Sequence, residues 1–495
     1  MFMKFIPICA ALFIHAACVA AEEPKPNILF ILADDLGLNG LSCCGNKFVA
    51  TPNLDRLASE GMRFTHAYAD SQCSPSRAAF FTGQFGARTG LFKVLNEKEP
   101  PKAFLRPPEE CKGLTPQTAS LASTLRSAGY ATGISGKWHI ADNSTVGALL
   151  KRDGGKYLDR YGFDFGGAAG GQKDNKEDKA AKAITDDIIG FIEQNKDRPW
   201  FAFVAHFIPH APLAAPEELI KKYETLGYKR SPTPGGKFTD RPTADYLAML
   251  EHMDAQAGRL LNLLDKLHLA NNTVVVFSGD NGGLSRVFDN SPLREGKGSP
   301  YEGGIRVPFI VRWPGHVKPG TTSDVPVHFV DLYPTFAAIA GAKPPEGHIF
   351  DGQSLLPLLL QKGTFERQAL YWHMPTYTTN YGRTPCSVIH KGDWKLIHWF
   401  GDYLDTAGFT PDDKPYGKLV VGPRTELYNL HDDPGEKKDL AAAQPAKTKE
   451  LLADLQAWWK TTGAKFPEKN PDYDAASWWK GTEGDAEGGP KNPSH

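Results

Sequence analysis

From residue 26 to about 340, short runs of apolar residues alternate with longer stretches whose apolar positions recur every three or four residues. The runs are Asn27–Ala33 ("NILFILA"), Ala131–Ile134, Trp200–Ala205 ("WFAFVA"), Thr273–Ser278 ("TVVVFS") and Val307–Arg312. They read as buried strands, and the spacing between them predicts helices over Asn53–Glu60, Ser120–Ala128, Ala180–Gln194 and Thr243–Leu267. In the last of these, Leu247, Leu250, Met253, Ala257, Leu260, Leu261 and Leu264 form one stripe, the mark of a helix facing a core. Strands alternating with helices predict an α/β fold. No internal repeat interrupts the pattern.

From about Lys343 the texture changes. "AKPPEGHIFDG" reads as a linker, followed by shorter strand-like pieces ("CSVIHKGDWKLIHWF", "TELYNL") and a helix carrying Leu451, Leu452, Leu455, Trp458 and Trp459. This predicts a smaller α+β domain over 343–465 beside a catalytic domain over 22–342. The segment 466–495, rich in Gly, Pro and charge, reads as a flexible tail. At the other end, "MFMKFIPICAALFIHAACVAAEEP" has Lys4 in a short basic head, an apolar stretch and small residues before Glu22. That is the pattern of a signal peptide over 1–21, too short and wrongly flanked for a stable membrane span. The mature protein is therefore expected in the periplasm or outside the cell, or in a lysosome-like compartment of a eukaryote.

The 495 residues are 41% hydrophobic and 23% charged, with a net charge of −1, which argues against nucleic acid or an anionic membrane as the main partner. A local positive pocket for a small anion remains compatible with that balance. Of the seven cysteines, Cys9 and Cys18 fall in the signal segment. Cys43, Cys44, Cys73, Cys111 and Cys386 remain, an odd number for an oxidising compartment, so one thiol is expected to be free or special. Parity does not say which.

The strand candidates end in unusual polar residues. Asn27–Ala33 runs into Asp34 and Asp35; Ala131–Ile134 is followed by Lys137 and His139; Trp200–Ala205 leads to His206 and His210; Thr273–Ser278 ends in "GDNGG", with Asp280 and Asn281. Taken singly, "DD" is a capping turn, "GDNGG" a tight turn, and each Lys or His a solvated or satisfied side chain. Together they converge on the carboxyl edge of a sheet, where α/β proteins bind ligands. Asp34, Asp35, Asp280 and Asn281 are hard oxygen donors suited to Ca²⁺ or Mg²⁺. Arg77, Lys137 and Lys297 bind anions, and His139 and His210 exchange protons near neutral pH. Cys73, in "CSPSR", reads from its own surroundings as a nucleophile, a disulfide half, a metal ligand or packing.

"CSPSRAAFFTG" resembles the signature of the formylglycine-dependent (type I) sulfatases, an arylsulfatase-like family of the alkaline phosphatase superfamily. "PNILFILADDLG", "TPNLDRLASEGMRFTHAYA", "GYATGISGKWH", "PHAPL", "FSGDNGG", "GKGSPYEGGIRVPFIVRWPG" and "ELYNLHDDPGEKKDL" resemble the family's other motifs in order, from residue 26 to about 460. The resemblance implies a large mixed sheet sandwiched by helices, with a smaller C-terminal domain of antiparallel sheet plus helix. It implies that a maturation enzyme oxidises Cys73 to Cα-formylglycine, the nucleophile and a metal ligand, beside Asp34, Asp35, Asp280 and Asn281, with calcium preferred to magnesium. Arg77 and Lys137 correspond to residues that hold and neutralise the formylglycine hydrate. His139 corresponds to the base that breaks a sulfo-enzyme intermediate, and His210 and Lys297 to the pair that grips sulfate and protonates the leaving oxygen.

The chain departs from the family at Gln84, where many members have Arg, and at Ile140-Ala141, where Leu-Gly is usual. The expected substrate is O-sulfated carbohydrate, with aryl sulfate esters as the simpler case. Trp372, His373, Tyr377, Tyr381 and Arg383 are candidates to line its side of the pocket, or to pack a domain junction. Two other readings are a phosphate or phosphonate ester hydrolase on the same fold and a glycan-binding protein whose Cys73 is never converted.

Overall fold

The continuous apolar runs lie where both faces of a sheet are covered. All seven residues of β1 (Asn27–Ala33) are buried. Ile28, Phe30 and Leu32 face one apolar core, and Leu29, Ile31 and Ala33 face another, as the period of two requires. This computed structural model describes residues 24–141, 145–169, 177–232, 242–378, 381, 383–405 and 418–476. The expected signal segment 1–21 lies outside the described residues, as does the expected tail beyond 476.

Seven further strands complete the main sheet: β2 (Met62–Phe64), β3 (Ala131–Gly136), β4 (Phe165–Gly166), β5 (Trp200–Ala205), β6 (Thr273–Gly279), β7 (Phe309–Arg312) and β8 (Thr321–Ser323). Their order is β8-β2-β7-β6-β1-β5-β3-β4. The block β6-β1-β5-β3-β4 is parallel, whereas β7 runs antiparallel to both β6 and β2. On one face lie α1 (Pro52–Ser59), α4 (Ala181–Asn195) and the 23-residue α6 (Ala244–Lys266), with α5 (Glu217–Thr225) alongside. On the other lie α2 (Cys73–Thr82), α3 (Leu121–Ser127) and α7 (Leu332–Ala340). Among the described residues no helix is long and apolar enough to cross a membrane.

The C-terminal region forms an antiparallel sheet in the order β9 (Leu370–Met374), β10 (Cys386–Lys391), β11 (Trp394–Trp399) and β12 (Arg424–Asn429). Helix α8 (Pro445–Thr462) packs on it through Leu451, Leu455 and Trp458. Val388, Ile389, Leu396 and Leu427 join the core of α2 and α7, so the two regions share apolar packing. The expected flexible tail begins differently. Glu468–Lys469 pairs with Leu105–Arg106, and Asn470 Nδ2 donates to the Ala103 carbonyl at 2.8 Å. Residues 466–476 are thus folded onto the catalytic region, because an edge strand is available to satisfy their backbone.

Candidate active site

Strand register brings the polar strand ends level. Ala33 lies opposite Gly279, Leu32 opposite Ala205, and Gly136 also opposite Ala205. Backbone bonds then tie the turns together: Asp34 N–H to the Ile208 carbonyl (3.1 Å), Asp280 N–H to Ala33 (3.0 Å) and Lys137 N–H to Ala205 (2.9 Å). Two residues of these turns take left-handed backbone, Asp35 at φ 64° and His139 at φ 65°. Such a conformation costs a non-glycine residue about 1 kcal/mol or more, and the surrounding turns hold it in place.

Helix α2 opens at Cys73. Pro75 falls in the first turn, where its missing N–H leaves no intrahelical bond unmade. All ten residues of α2 are buried. Phe80 packs against Phe30 and Phe203, with ring centroids 4.7 and 5.2 Å apart, which fixes the helix on the sheet. Its first residue therefore points at the strand ends: Cys73 Sγ is 3.3 Å from Asp34 Oδ1 and 4.0 Å from Asp35 Oδ1. Ligand atoms of Asp34, Asp35, Cys73 and His210 all lie within 4.8 Å of one another.

Each carboxylate of the group has its own cation. Lys137 Nζ donates to Asp34 Oδ2 at 2.7 Å. Lys297 Nζ is 3.0 Å from both oxygens of Asp35. Arg77 places Nε and Nη2 on Asp280 Oδ2 at 3.1 and 2.8 Å, and Nη1 on the Lys137 carbonyl at 3.1 Å. Burial would raise the Asp34 carboxyl, but Lys137, His210, Arg77 and Lys297 together hold it well below the usual carboxylate range. Burial and the nearby Asp34 push Asp280 up to about 7 against Arg77 and Lys137. Burial, then Asp34, pushes the Cys73 thiol well above its ordinary value.

The donor set fits a hard cation. Asp35 accepts from Asn281 Nδ2 at 2.9 Å on Oδ1, and Asp280 Oδ1 accepts the Asp35 N–H at 3.1 Å. Asn281 Oδ1 is buried with no hydrogen-bond partner. Asp34 and Asp35 lie in one cluster, and Asp280 and Asn281 are hydrogen-bonded to Asp35 beside it; carboxylates and an amide oxygen are the ligands calcium or magnesium takes. Three acids against Arg77, Lys137 and Lys297 sum to zero, so a bound divalent cation leaves the pocket near +2, suited to an anion.

His210 Nε2 is 3.7 Å from Asp35 Oδ2. His139 is buried two residues beyond Lys137, on the same strand-end turn. His206 is buried outside the cluster; burial, then the charge of His252, lowers its pKa to about 3. Lys179, which carries no sequence signal because it sits in a charged run, donates to the His210 carbonyl. The second-domain candidates divide. Trp372 donates to the Ala69 carbonyl (2.9 Å), and His373 bridges Ser387 Oγ (2.6 Å) and the Lys465 carbonyl (2.7 Å). Tyr377 binds Asp402 (2.8 Å), and Arg383 donates to Ser71 Oγ (2.8 Å). These four are buried in the junction. Tyr381 alone borders the site, its ring centroid 5.5 Å from Lys297 Nζ. Of the departures, Gln84 donates to the Ile349 carbonyl and Ile140 lies in the core.

Fold and site together define a class: a hydrolase with the alkaline-phosphatase-like fold, whose pocket gathers acids and cations around the first residue of a helix. Residues 26–342 match the sulfatase family, and residues 296–410 match the N-sulphoglucosamine sulphohydrolase C-terminal family. The chain belongs to the sulfatase family and is a sulfuric ester hydrolase. It is 31% identical to a sulfatase of Formosa agariphila, over 88% of each chain. It is 32% identical to human arylsulfatase A, over 89% of this chain and 88% of that one. Among solved structures, Ps i-CgsB in complex with k-i-k-neocarrahexaose superimposes with a TM-score of 0.69 at 26% identity, over 91% of this chain and 94% of that one.

Proposed function

We propose that this sulfatase removes sulfate from O-sulfated carbohydrate after export to the periplasm or cell exterior, with residue 73 converted to formylglycine and calcium held by Asp34, Asp35, Asp280, Asn281 and residue 73. The observation that carries this reading is the setting of Cys73, the first residue of a fully buried helix, with its Sγ 3.3 Å from Asp34 Oδ1 among hard oxygen donors. Sulfur is a soft donor, poorly matched to the hard cation that those oxygens suit. The carbohydrate assignment is supported by Ps i-CgsB, whose structure holds a neocarrahexaose.

Held by Asp34, Asp35, Asp280, Asn281 and residue 73, a divalent cation would draw charge from the sulfate oxygens. Formylglycine, as its hydrate, supplies two hydroxyls on one carbon, one to attack sulfur and one to expel sulfate. Around residue 73 the chain has three tasks. Lys137 holds Asp34 ionised, Arg77 pairs with Asp280 against the rise that burial causes, and both place positive charge beside residue 73. His210 and Lys297, both on Asp35, deliver a proton to the departing sugar oxygen as its bond to sulfur breaks. His139 takes a proton from the second hydroxyl of residue 73 so that its carbon–oxygen bond to sulfate can break. General acid–base help of this kind is worth roughly 10²–10⁴-fold.

A panel of position-defined sulfated sugars, with free sulfate measured, tests the substrate. Release from a sulfated sugar at a rate well above that from an aryl sulfate is the expected result. Turnover confined to aryl sulfates would contradict the carbohydrate assignment.

A further inference from the structure

Two thiols outside the active site touch. Cys43 and Cys44 lie on the single turn Ser42–Cys44 with their Sγ atoms 4.0 Å apart, and both are partly exposed. The other cysteines are placed apart: Cys73 in the catalytic cluster, Cys386 buried in β10, and Cys111 donating to the Gly113 carbonyl at 3.0 Å. The backbone around the pair is pinned. Cys43 N–H donates to Asp55 Oδ1 (2.9 Å), Ser42 Oγ to Asp55 Oδ2 (2.8 Å), and Ser42 N–H to Thr51 Oγ1 (3.0 Å). Gly45 closes the turn at φ 102°, its N–H on the Ser42 carbonyl at 3.0 Å.

The two thiols are unequal. The hydrogen bond to Cys44, burial and the charge of Asp55 raise the Cys43 thiol. The same hydrogen bond and Arg63 lower Cys44 against its burial. Cys44 is thus the readier thiolate, with Cys43 held beside it. That is the arrangement of an attacking sulfur and a resolving one.

We propose that Cys43 and Cys44 form a reversible vicinal disulfide, a redox modification site separate from the catalytic centre. With a small disulfide such as oxidised glutathione as oxidant, Cys44 thiolate attacks one glutathione sulfur and releases the first glutathione thiolate. Cys43, losing its proton, then attacks Cys44 Sγ and expels the second. Two protein thiols become one S–S bond, and one oxidised glutathione becomes two reduced ones. Neighbouring Cα atoms are only about 3.8 Å apart, shorter than the usual disulfide span of about 4.4–6.8 Å. The ring is consequently strained and opens under mild reductant.

The test treats the intact protein with excess oxidised glutathione, followed by acid quench, alkylation and trypsin. In protein lacking the expected signal segment 1–21, the peptide ending at Lys47 carries Cys43 and Cys44 as its only cysteines. The expected result is loss of two hydrogens from that peptide with no alkyl group attached. Brief dithiothreitol treatment should restore two alkylatable thiols. In Cys43→Ser the two-hydrogen loss should vanish, and Cys44 should retain one glutathione. Two alkylated thiols after oxidation, a lasting glutathione adduct in the wild type, or a bond to Cys111 would each overturn the proposal.

Discussion

Arg77→Met removes the guanidinium but keeps most of the apolar stem, leaving Asp280 buried without its closest cation. Both side chains are fully buried, and their N···O separation is 2.8 Å. At an effective dielectric of 20 that separation corresponds to about 6 kcal/mol of attraction. Part of it is offset because the guanidinium no longer has to be dehydrated. Breaking one partner of a buried pair usually costs roughly 3–5 kcal/mol. At roughly 2–4 °C per kcal/mol for a domain of this size, the melting temperature should fall by about 6–20 °C. The assay is thermal and urea unfolding in EGTA, so that no bound cation compensates Asp280. Arg77→Met/Asp280→Asn should regain much of the loss, because no charge is then left unpaired. A single variant as stable as the wild type, or a double variant whose losses simply add, would refute the pairing argument.

Three further outcomes follow from the same geometry. A Cβ on Gly282 would lie 1.8 Å from the Gly303 carbonyl oxygen, so Gly282→Ala must displace the Asn281 turn; calcium affinity measured by calorimetry should drop at least tenfold, and unchanged affinity would contradict the assigned ligands. His328 Nδ1 accepts the Val330 N–H at 3.2 Å, and burial, then Arg367, lowers its pKa to about 3 against an unfolded value of about 6.5. Its contribution to stability is therefore complete above pH about 6.5 and is lost as pH falls toward 3. The wild type's advantage over His328→Asn should shrink by about 1.4 kcal/mol per pH unit in that window, and a pH-independent difference would refute the sign. His210→Asn should slow sulfate release from sugars by about 10²–10⁴-fold but affect 4-nitrophenyl sulfate much less, since phenolate leaves without a proton; equal losses would remove His210 from the leaving-group role.

How much was legible beforehand depended on what each residue type can signal alone. β1, β5 and β6 were readable because both their faces are buried and their apolar runs are unbroken. The direction of β7 was not, since "FIVR" looks the same parallel or antiparallel. The two- and three-residue strands are set by their partners rather than by their own composition. The convergence of Asp34, Lys137, Asp280 and Asn281 was legible because strand ends share an edge. The fully buried α2 was harder: it lacks an exposed polar face, so its start at Cys73 came only with the fold. Trp372, His373, Tyr377 and Arg383 read equally as pocket or junction from composition, and hydrogen bonding assigns them to the junction. Lys179, reaching the His210 carbonyl from a run of surface-like charges, left no trace in the sequence.

In the proposed mechanism residue 73 works as an aldehyde hydrate and not as a thiol. The tryptic peptide from Phe64 to Arg77 carries Cys73 as its single cysteine. Mass spectrometry of that peptide, on samples made with and without the formylglycine-generating maturation enzyme, gives the fraction converted. The rate of sulfate release should rise in proportion to that fraction and vanish at zero conversion. Full sulfate release from protein whose Cys73 remains an intact, alkylatable thiol would contradict it.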